Sequence, residues 1–141
     1  MTGAAPLQEL SSVLGVAEVA PGCLYAPSEK ILEVAERLKD PSGPDFDYLD
    51  MITAADYPDH FEVVYRLLSL KRNEFLTLKT RVGRENPRVP SLTSLYKGAD
   101  FQEREIFDLF GIGFEGHPCL RRIMLWEGFE GHPLRKDYHG A

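Results

Sequence analysis

Three runs in the middle of the chain have the pattern of apolar and polar residues expected of β-strands. They cover residues 46–57, 61–70 and 74–82, and short polar turns separate them. The first run alternates apolar and acidic residues, the second is rich in β-branched and aromatic residues, and the third alternates apolar with polar residues. Strands that follow one another through such short breaks predict an antiparallel meander.

Two segments before these strands carry apolar residues at helical spacing. Residues 6–15 place three leucines on one face of a helix. Residues 29–40 place isoleucine, leucine and alanine on one side, and Ser28 is the expected N-cap residue. The other segments are predicted to be a strand or short hairpin at 16–27, a loop at 83–91 and a short helix at 91–98.

A further helix is predicted over residues 99–111. Asp100 and Glu103 have the spacing of a capping box, and the closing glycine suits the left-handed position that follows a last helical turn. Arg104 and Asp108 lie four residues apart and are expected to pair across one turn.

Helices beside a small sheet predict an α+β fold, a two-layer domain with helices packed on a small mixed or antiparallel sheet. We assign residues 1–111 to this core domain. Residues 112–141 lose both periods and are predicted to form an irregular, extended C-terminal segment that binds a partner. We call this segment the strap.

The strap contains the same five residues twice, FEGHP at 114–118 and again at 129–133. Each glycine allows a turn at low steric cost, and each proline biases the preceding His117 or His132 toward extended backbone. This pattern favours stiff loops whose histidines form hydrogen bonds to the backbone.

Composition excludes some classes of function. The chain has 141 residues and a net charge of −6, which disfavours a general role in nucleic-acid binding. No apolar run is long enough to span a bilayer, and the first residues lack the features of a signal peptide, so the chain is expected to stay in the cytoplasm. Two cysteines are too few for a four-thiolate iron–sulfur cluster, so any redox centre is expected to belong to a partner.

Three chemical alternatives remain open for the strap. A metal site would use His117, His132 and His139, with Asp137 or Cys119 as a fourth ligand. A phosphate site would use the two basic pairs, at 121–122 and 135–136. A nucleophile would require Cys119, which is more simply a small packed residue. Flanking turn residues and nearby acids favour a structural role for all of these groups.

The end of the chain resembles the thirty-kilodalton subunit of respiratory complex I, which is the C subunit of the bacterial proton-pumping NADH:quinone oxidoreductase. The resemblance also extends to deazaflavin-dependent dehydrogenases and energy-converting hydrogenases. The matching stretches are 103–105, 107–112, 114–118, 120–123 and 131–138. The chain departs from this pattern at Cys119, where an acidic or amide residue is common, and at Phe101, where tryptophan is usual.

The resemblance implies a non-catalytic scaffold subunit of a translocating oxidoreductase. Members of the family carry no cofactor of their own; the iron–sulfur clusters, flavin and quinone are expected in partner subunits. They lie in the hydrophilic arm against the forty-nine-kilodalton (D) subunit, close to the quinone site, on the cytoplasmic side of the membrane. The equivalent subunit of a hydrogenase or deazaflavin-dependent dehydrogenase is an alternative, and a free-standing metalloenzyme is a second.

We expect partner contacts in two groups of charged residues. The first group is the charged face of the predicted helix and consists of Glu103, Arg104, Glu105 and Asp108. The second group lies in the strap and consists of His117, Arg121, Arg122, His132, Arg135, Lys136 and Asp137.

Overall fold

The computed structural model describes residues 15–138. The helix predicted for residues 6–15 therefore lies outside the described residues except for Gly15. None of the helices within this range is long and apolar enough to cross a membrane.

A five-stranded mixed sheet forms one layer of an α+β domain. Its strands are β1 (Ala17–Ala20), β2 (Cys23–Tyr25), β3 (Tyr48–Asp56), β4 (His60–Ser69) and β5 (Glu74–Gly83). They are arranged in the order β1-β2-β5-β4-β3. The predicted meander of β3, β4 and β5 is confirmed as antiparallel, and so is the predicted hairpin of β1 and β2. The parallel pairing of β2 with β5 makes the sheet mixed.

Alternation along β4 divides the sheet into an inner and an outer face. Phe61, Val63, Tyr65 and Leu67 point inward and are fully buried. Residues between them, such as Arg66, point to the other face. Because successive side chains point to opposite faces, the two-residue period seen in the sequence becomes the core of the domain.

The second layer contains two helices, α1 (Ile31–Lys39) and α2 (Ala99–Phe110). The buried side of α1 consists of Ile31, Val34, Ala35 and Leu38. The expected N-cap role of Ser28 is wrong, because Ser28 begins a 3₁₀ turn that precedes α1 and makes no capping hydrogen bond.

Two short strands and one loop differ from the sequence prediction. β6 (Arg88–Pro90) and β7 (Gly113–Glu115) pair in parallel as a separate two-stranded sheet, where only a loop and the strap were predicted. The helix predicted for residues 91–98 is wrong, because this segment forms turns. Its Tyr96 is nevertheless buried and donates a hydrogen bond to the Phe46 carbonyl, at 2.6 Å.

Both ends of α2 are defined by backbone geometry. Gly111 has φ +78° and donates its N–H to the Phe107 carbonyl, which confirms the predicted left-handed ending. The predicted capping box is wrong, because the helix begins after Gly98 without any capping hydrogen bond from a side chain.

Candidate functional site

The strap is organised around the buried carboxylate of Asp108 on α2. Its Oδ2 accepts hydrogen bonds from three consecutive backbone N–H groups, those of Ile123 (3.1 Å), Met124 (2.7 Å) and Leu125 (2.9 Å). Its Oδ1 accepts a hydrogen bond from Arg122 Nη1 at 2.6 Å. A single side chain therefore fixes the middle of the strap to the helix.

These contacts keep Asp108 ionised in spite of its burial. Burial raises the pKa of Asp108, but the N–H groups and the Arg122 guanidinium together outweigh burial and hold the pKa below its ordinary value. The expected pair between Arg104 and Asp108 is wrong, since Arg104 instead donates to the carbonyls of Arg121 and Arg122, each at 3.2 Å.

The last four carbonyls of a helix have no partner within the helix itself. In α2 all four of these carbonyls accept hydrogen bonds. The pairs are Phe107 with the N–H of Gly111 (2.8 Å), Asp108 with His132 Nδ1 (3.0 Å), Leu109 with the N–H of Leu134 (3.0 Å) and Phe110 with Arg135 Nε (2.5 Å). Three of these four donors belong to the second half of the strap. Basic groups are also favoured at this end of a helix, because the helix dipole is negative there.

The two repeated histidines bind opposite ends of α2. His117 Nδ1 accepts the N–H of Cys119 (2.9 Å), so its Nε2 carries the proton and donates to the carbonyl and carboxylate of Asp100, both at 3.1 Å. His132 donates to the carbonyl of Asp108. The prediction that both histidines bond to backbone is confirmed.

This arrangement does not favour the metal alternative. The two carbonyls that hold the histidines are eight residues apart, which is about 12 Å along a helix. Within residues 15–138 no group of three His, Cys, Asp or Glu side chains is placed to hold a metal ion. His139 lies outside that range. Cys119 is exposed, so its expected packed position is wrong.

One arginine of each basic pair in the strap binds groups of its own chain. Arg122 binds Asp108 and also the Gly131 carbonyl, at 2.9 Å. Arg135 binds the Phe110 carbonyl. Each pair thus gives one basic side chain to the fold, which does not favour a phosphate site built from both.

Glu103 was expected on the charged face of the helix with Arg104, Glu105 and Asp108, but it is fully buried. Its carboxylate accepts hydrogen bonds from the Ser91 hydroxyl (2.6 Å) and the Leu92 N–H (2.8 Å). Burial raises the pKa of Glu103, and the hydrogen bonds from Leu92 and Ser91 only partly oppose it. Glu103 and Asp108 therefore shape the fold from within, whereas Glu105 is exposed and Arg104 half-exposed.

The end of the strap is held by two residues that the sequence reasoning missed. The N–H of Lys136 donates to the buried carboxylate of Asp56, at 2.7 Å, and Arg84 forms an ion pair with the same carboxylate. Arg84 Nη2 also binds Asp137, at 3.1 Å. No sequence signal pointed to Asp56, because it lies 80 residues from its strap partner.

The part of the strap that faces solvent combines apolar and basic groups. Met124 and Trp126 are 63% and 70% exposed, and the Trp126 ring packs edge-on against Phe129. Beside them a cavity of about 540 Å³ lies between α2 and the strap. It is lined by Arg104, Phe107, Leu120, Arg121, Arg122, Ile123, Glu127 and Gly128. Such a mixture of exposed apolar and arginine side chains is typical of protein interfaces.

Comparison with known proteins gives the family. Residues 24–141 match the family described as respiratory-chain NADH dehydrogenase, 30 Kd subunit. The chain belongs to this family. The sequence resemblance is thereby confirmed, and the chain is a subunit of the NADH-quinone oxidoreductase type.

Curated relatives from bacteria and fungi match most of the chain. The C subunit of NADH-quinone oxidoreductase from Roseiflexus sp. (strain RS-1) is 46% identical over 130 residues, covering 89% of this chain and 75% of that protein. The C subunit from Moorella thermoacetica is 42% identical and covers 94% and 92%. The mitochondrial NADH dehydrogenase [ubiquinone] iron-sulfur protein 3 of Candida albicans is 48% identical and covers 82% and 42%.

Solved structures agree with the fold of this chain. The trypsin-resistant fragment (1–134) of Nqo5 superposes with a TM-score of 0.69 at 34% identity, covering 85% of this chain and all of that fragment. A chain of the archaeal membrane-bound sulfane sulfur reductase has a TM-score of 0.72 at 24% identity, covering 94% and 82%. The second likeness concerns the fold alone.

Proposed function

We propose that this chain is a non-catalytic scaffold subunit in the hydrophilic arm of a proton-pumping NADH:quinone oxidoreductase. It docks through the outer surface of the strap on the large D-type subunit, near the quinone site, on the cytoplasmic side of the membrane. Membership of the respiratory-chain family supports the assignment to this type of complex. The exposed strap surface supports the mode of docking.

The observation that carries this proposal is that the strap has two sets of side chains, one bonded to the domain and one exposed to solvent. One set of side chains, including Arg122 and His132, bonds to α2 and holds the strap in place. Another set, including Met124 and Trp126, is presented to solvent on that fixed backbone. A rigid segment with exposed aromatic and sulfur-containing side chains loses little conformational entropy on binding, which favours a protein interface.

A structural role for the titratable groups supports a scaffold that carries no chemistry of its own. Asp108, His117 and His132 all bond to groups of their own chain. We propose that the flavin, the iron–sulfur clusters and the quinone are bound by the partner subunits.

Co-purification with the D-type subunit tests the docking surface. A double variant, Met124→Ala with Trp126→Ala, should lower recovery of the tagged partner at least tenfold, because exposed aromatic anchors dominate interface energies. Leu70→Ala is the matched control, since Leu70 is 60% exposed in the turn after β4, outside the strap. Equal recovery of both variants would disprove docking through this surface.

Metal analysis tests the metalloenzyme alternative. The purified chain is expected to contain less than one-tenth of an equivalent of zinc or iron, because His117 and His132 are used by the two ends of α2. One equivalent of either metal, lost in a His132→Ala variant, would favour the metalloenzyme over the scaffold.

A further inference from the structure

Arg121 differs from the two other arginines that line the cavity between α2 and the strap. Arg104 binds two strap carbonyls, and Arg122 binds Asp108. Arg121 is exposed, and its side chain forms no hydrogen bond or ion pair with any other residue in the range 15–138. The lining of the cavity therefore includes a cation that the described fold does not use.

Part of the lining of the same cavity is apolar. Phe107 of α2 and Leu120 and Ile123 of the strap contribute to it, and all three are partly exposed. At about 540 Å³ the cavity has the size of a small-ligand pocket, enough for a protruding side chain from another protein. It is open, so a partner can enter without any rearrangement of the strap.

Hydrogen bonds within the chain hold the backbone around the cavity in place. The N–H groups of residues 123–125 converge on Asp108, and Arg104 holds the carbonyls of residues 121 and 122. A preorganised cavity loses less free energy to ordering on binding than a flexible one does. Charge complementarity then indicates the chemistry of the partner. An arginine beside apolar lining residues pairs best with a carboxylate, in a bidentate geometry.

We propose that this cavity receives an apolar side chain of the neighbouring subunit and that Arg121 forms an ion pair with an acidic residue next to that side chain. The inference rests on the proposed docking of the strap and adds the chemistry of the partner segment. The segment carries an aspartate or glutamate within two positions of a large apolar residue.

Photo-cross-linking in the intact complex tests the inference. p-Benzoylphenylalanine is introduced in place of Glu127, which lines the cavity, and in a separate variant in place of Met124, which lies on the strap outside the lining. The probe at position 127 is expected to cross-link to a neighbouring subunit, at a segment of the stated composition identified by mass spectrometry. An adduct with quinone, lipid or a segment without an acid would overturn the inference.

The two probes also separate the two proposals. If the probe at 124 cross-links and the probe at 127 does not, the strap docks but the cavity stays empty, so only the inference fails. If neither probe cross-links in an intact complex, docking through this surface fails as well.

A double-mutant cycle then tests the ion pair itself. Arg121→Ala and the change of the mapped acid to alanine should each weaken recovery of the partner by about thirtyfold or more, and the double variant should be no weaker than either. Lys71→Ala is the control, because it removes an exposed cation in the turn after β4. Independent, multiplicative losses would show that Arg121 and the mapped acid do not pair.

Discussion

At the residue scale, the central feature is a carboxylate that accepts the backbone hydrogen bonds which a helix or strand would otherwise satisfy. The strap around residues 121–126 has neither helix nor strand hydrogen bonds. Asp108 accepts three of its N–H groups and one guanidinium N–H. Buried backbone donors need partners, and a single ionised side chain supplies them here.

Removing this carboxylate should release the strap from α2. Asp108→Ala leaves three backbone N–H groups without their acceptor and the Arg122 guanidinium without its carboxylate partner, so we expect a loss of about 3–5 kcal/mol in the free energy of unfolding. Urea denaturation measures the loss, and hydrogen exchange of residues 123–125 locates it. The control Glu105→Ala, on the exposed side of α2, should stay within about 0.5 kcal/mol of the parent. Unchanged protection of those three amides in Asp108→Ala would contradict this account.

The two buried carboxylates of α2 predict opposite dependences of stability on pH. The folded pKa of Asp108 lies below its ordinary 3.8, so its contribution is present above pH 3.8 and is lost as pH falls through the folded pKa. The folded pKa of Glu103 lies above its ordinary 4.5, so ionisation costs stability as pH rises from 4.5 through the folded value.

A glutamine at position 103 should therefore change only one side of the pH profile. Glu103→Gln is expected to abolish the fall in stability above pH 4.5 and to keep the acid-induced loss that depends on Asp108. Urea midpoints measured from acidic to neutral pH for both proteins provide the comparison. A variant that still lost stability between pH 4.5 and neutrality in parallel with the parent would refute the assignment to Glu103.

At the element scale, the two FEGHP repeats bind the two ends of the same helix, α2. The first repeat brings His117 to Asp100 in the first turn of α2, and the second brings His132 to Asp108 in the last. Both glycines have positive φ, +86° at Gly116 and +96° at Gly131. The repeat therefore provides two similar turns, each of which delivers a ring nitrogen to a helix carbonyl.

The close packing at the end of α2 predicts unequal effects of two glycine substitutions. A Cβ at Gly111 would lie 2.7 Å from His132 and 2.8 Å from Arg135, at a backbone φ of +78°. Gly111→Ala should therefore destabilise the chain by more than the roughly 1–2 kcal/mol of the left-handed conformation alone. Gly98→Ala, before the first turn, meets nothing within 4 Å and should be nearly neutral. Thermal denaturation distinguishes them, and equal melting temperatures would contradict this packing.

The sequence predicted those elements that a local, periodic pattern of apolar and polar residues defines. β3, β4 and β5 begin and end within two residues of the predicted runs, because alternation directly records their inner and outer faces. The β6–β7 pairing was missed, since two three-residue strands separated by more than twenty residues have no period to detect.

Burial of charge was the other failure of prediction. Glu103 and Asp108 fit the charged stripe of an amphipathic helix, and nothing in the local pattern indicated that Ser91 and the strap would cover them. Their acceptor role depends on segments that come together only in the folded domain. The histidines were easier, because their glycine and proline neighbours already favoured a bond to the backbone.

At the scale of the whole molecule, the strap has an inner surface bound to its own domain and an outer surface exposed to solvent. The inner surface uses Arg122, His132 and Arg135, which were expected to contact a partner. The outer surface retains Arg121, Met124 and Trp126. Of the strap charges expected to contact a partner, Arg121 is exposed and lines the cavity, and its contact with a partner stays a prediction.

The most direct test of the scaffold role compares assembly with turnover. In cells whose chain carries Arg121→Ala, the amount of assembled complex is expected to fall, with a penalty of about 2–5 kcal/mol if the partner's charge is left buried. NADH:quinone turnover per assembled complex should equal that of the Lys71→Ala control. Normal assembly with a loss of turnover per complex would contradict the scaffold account.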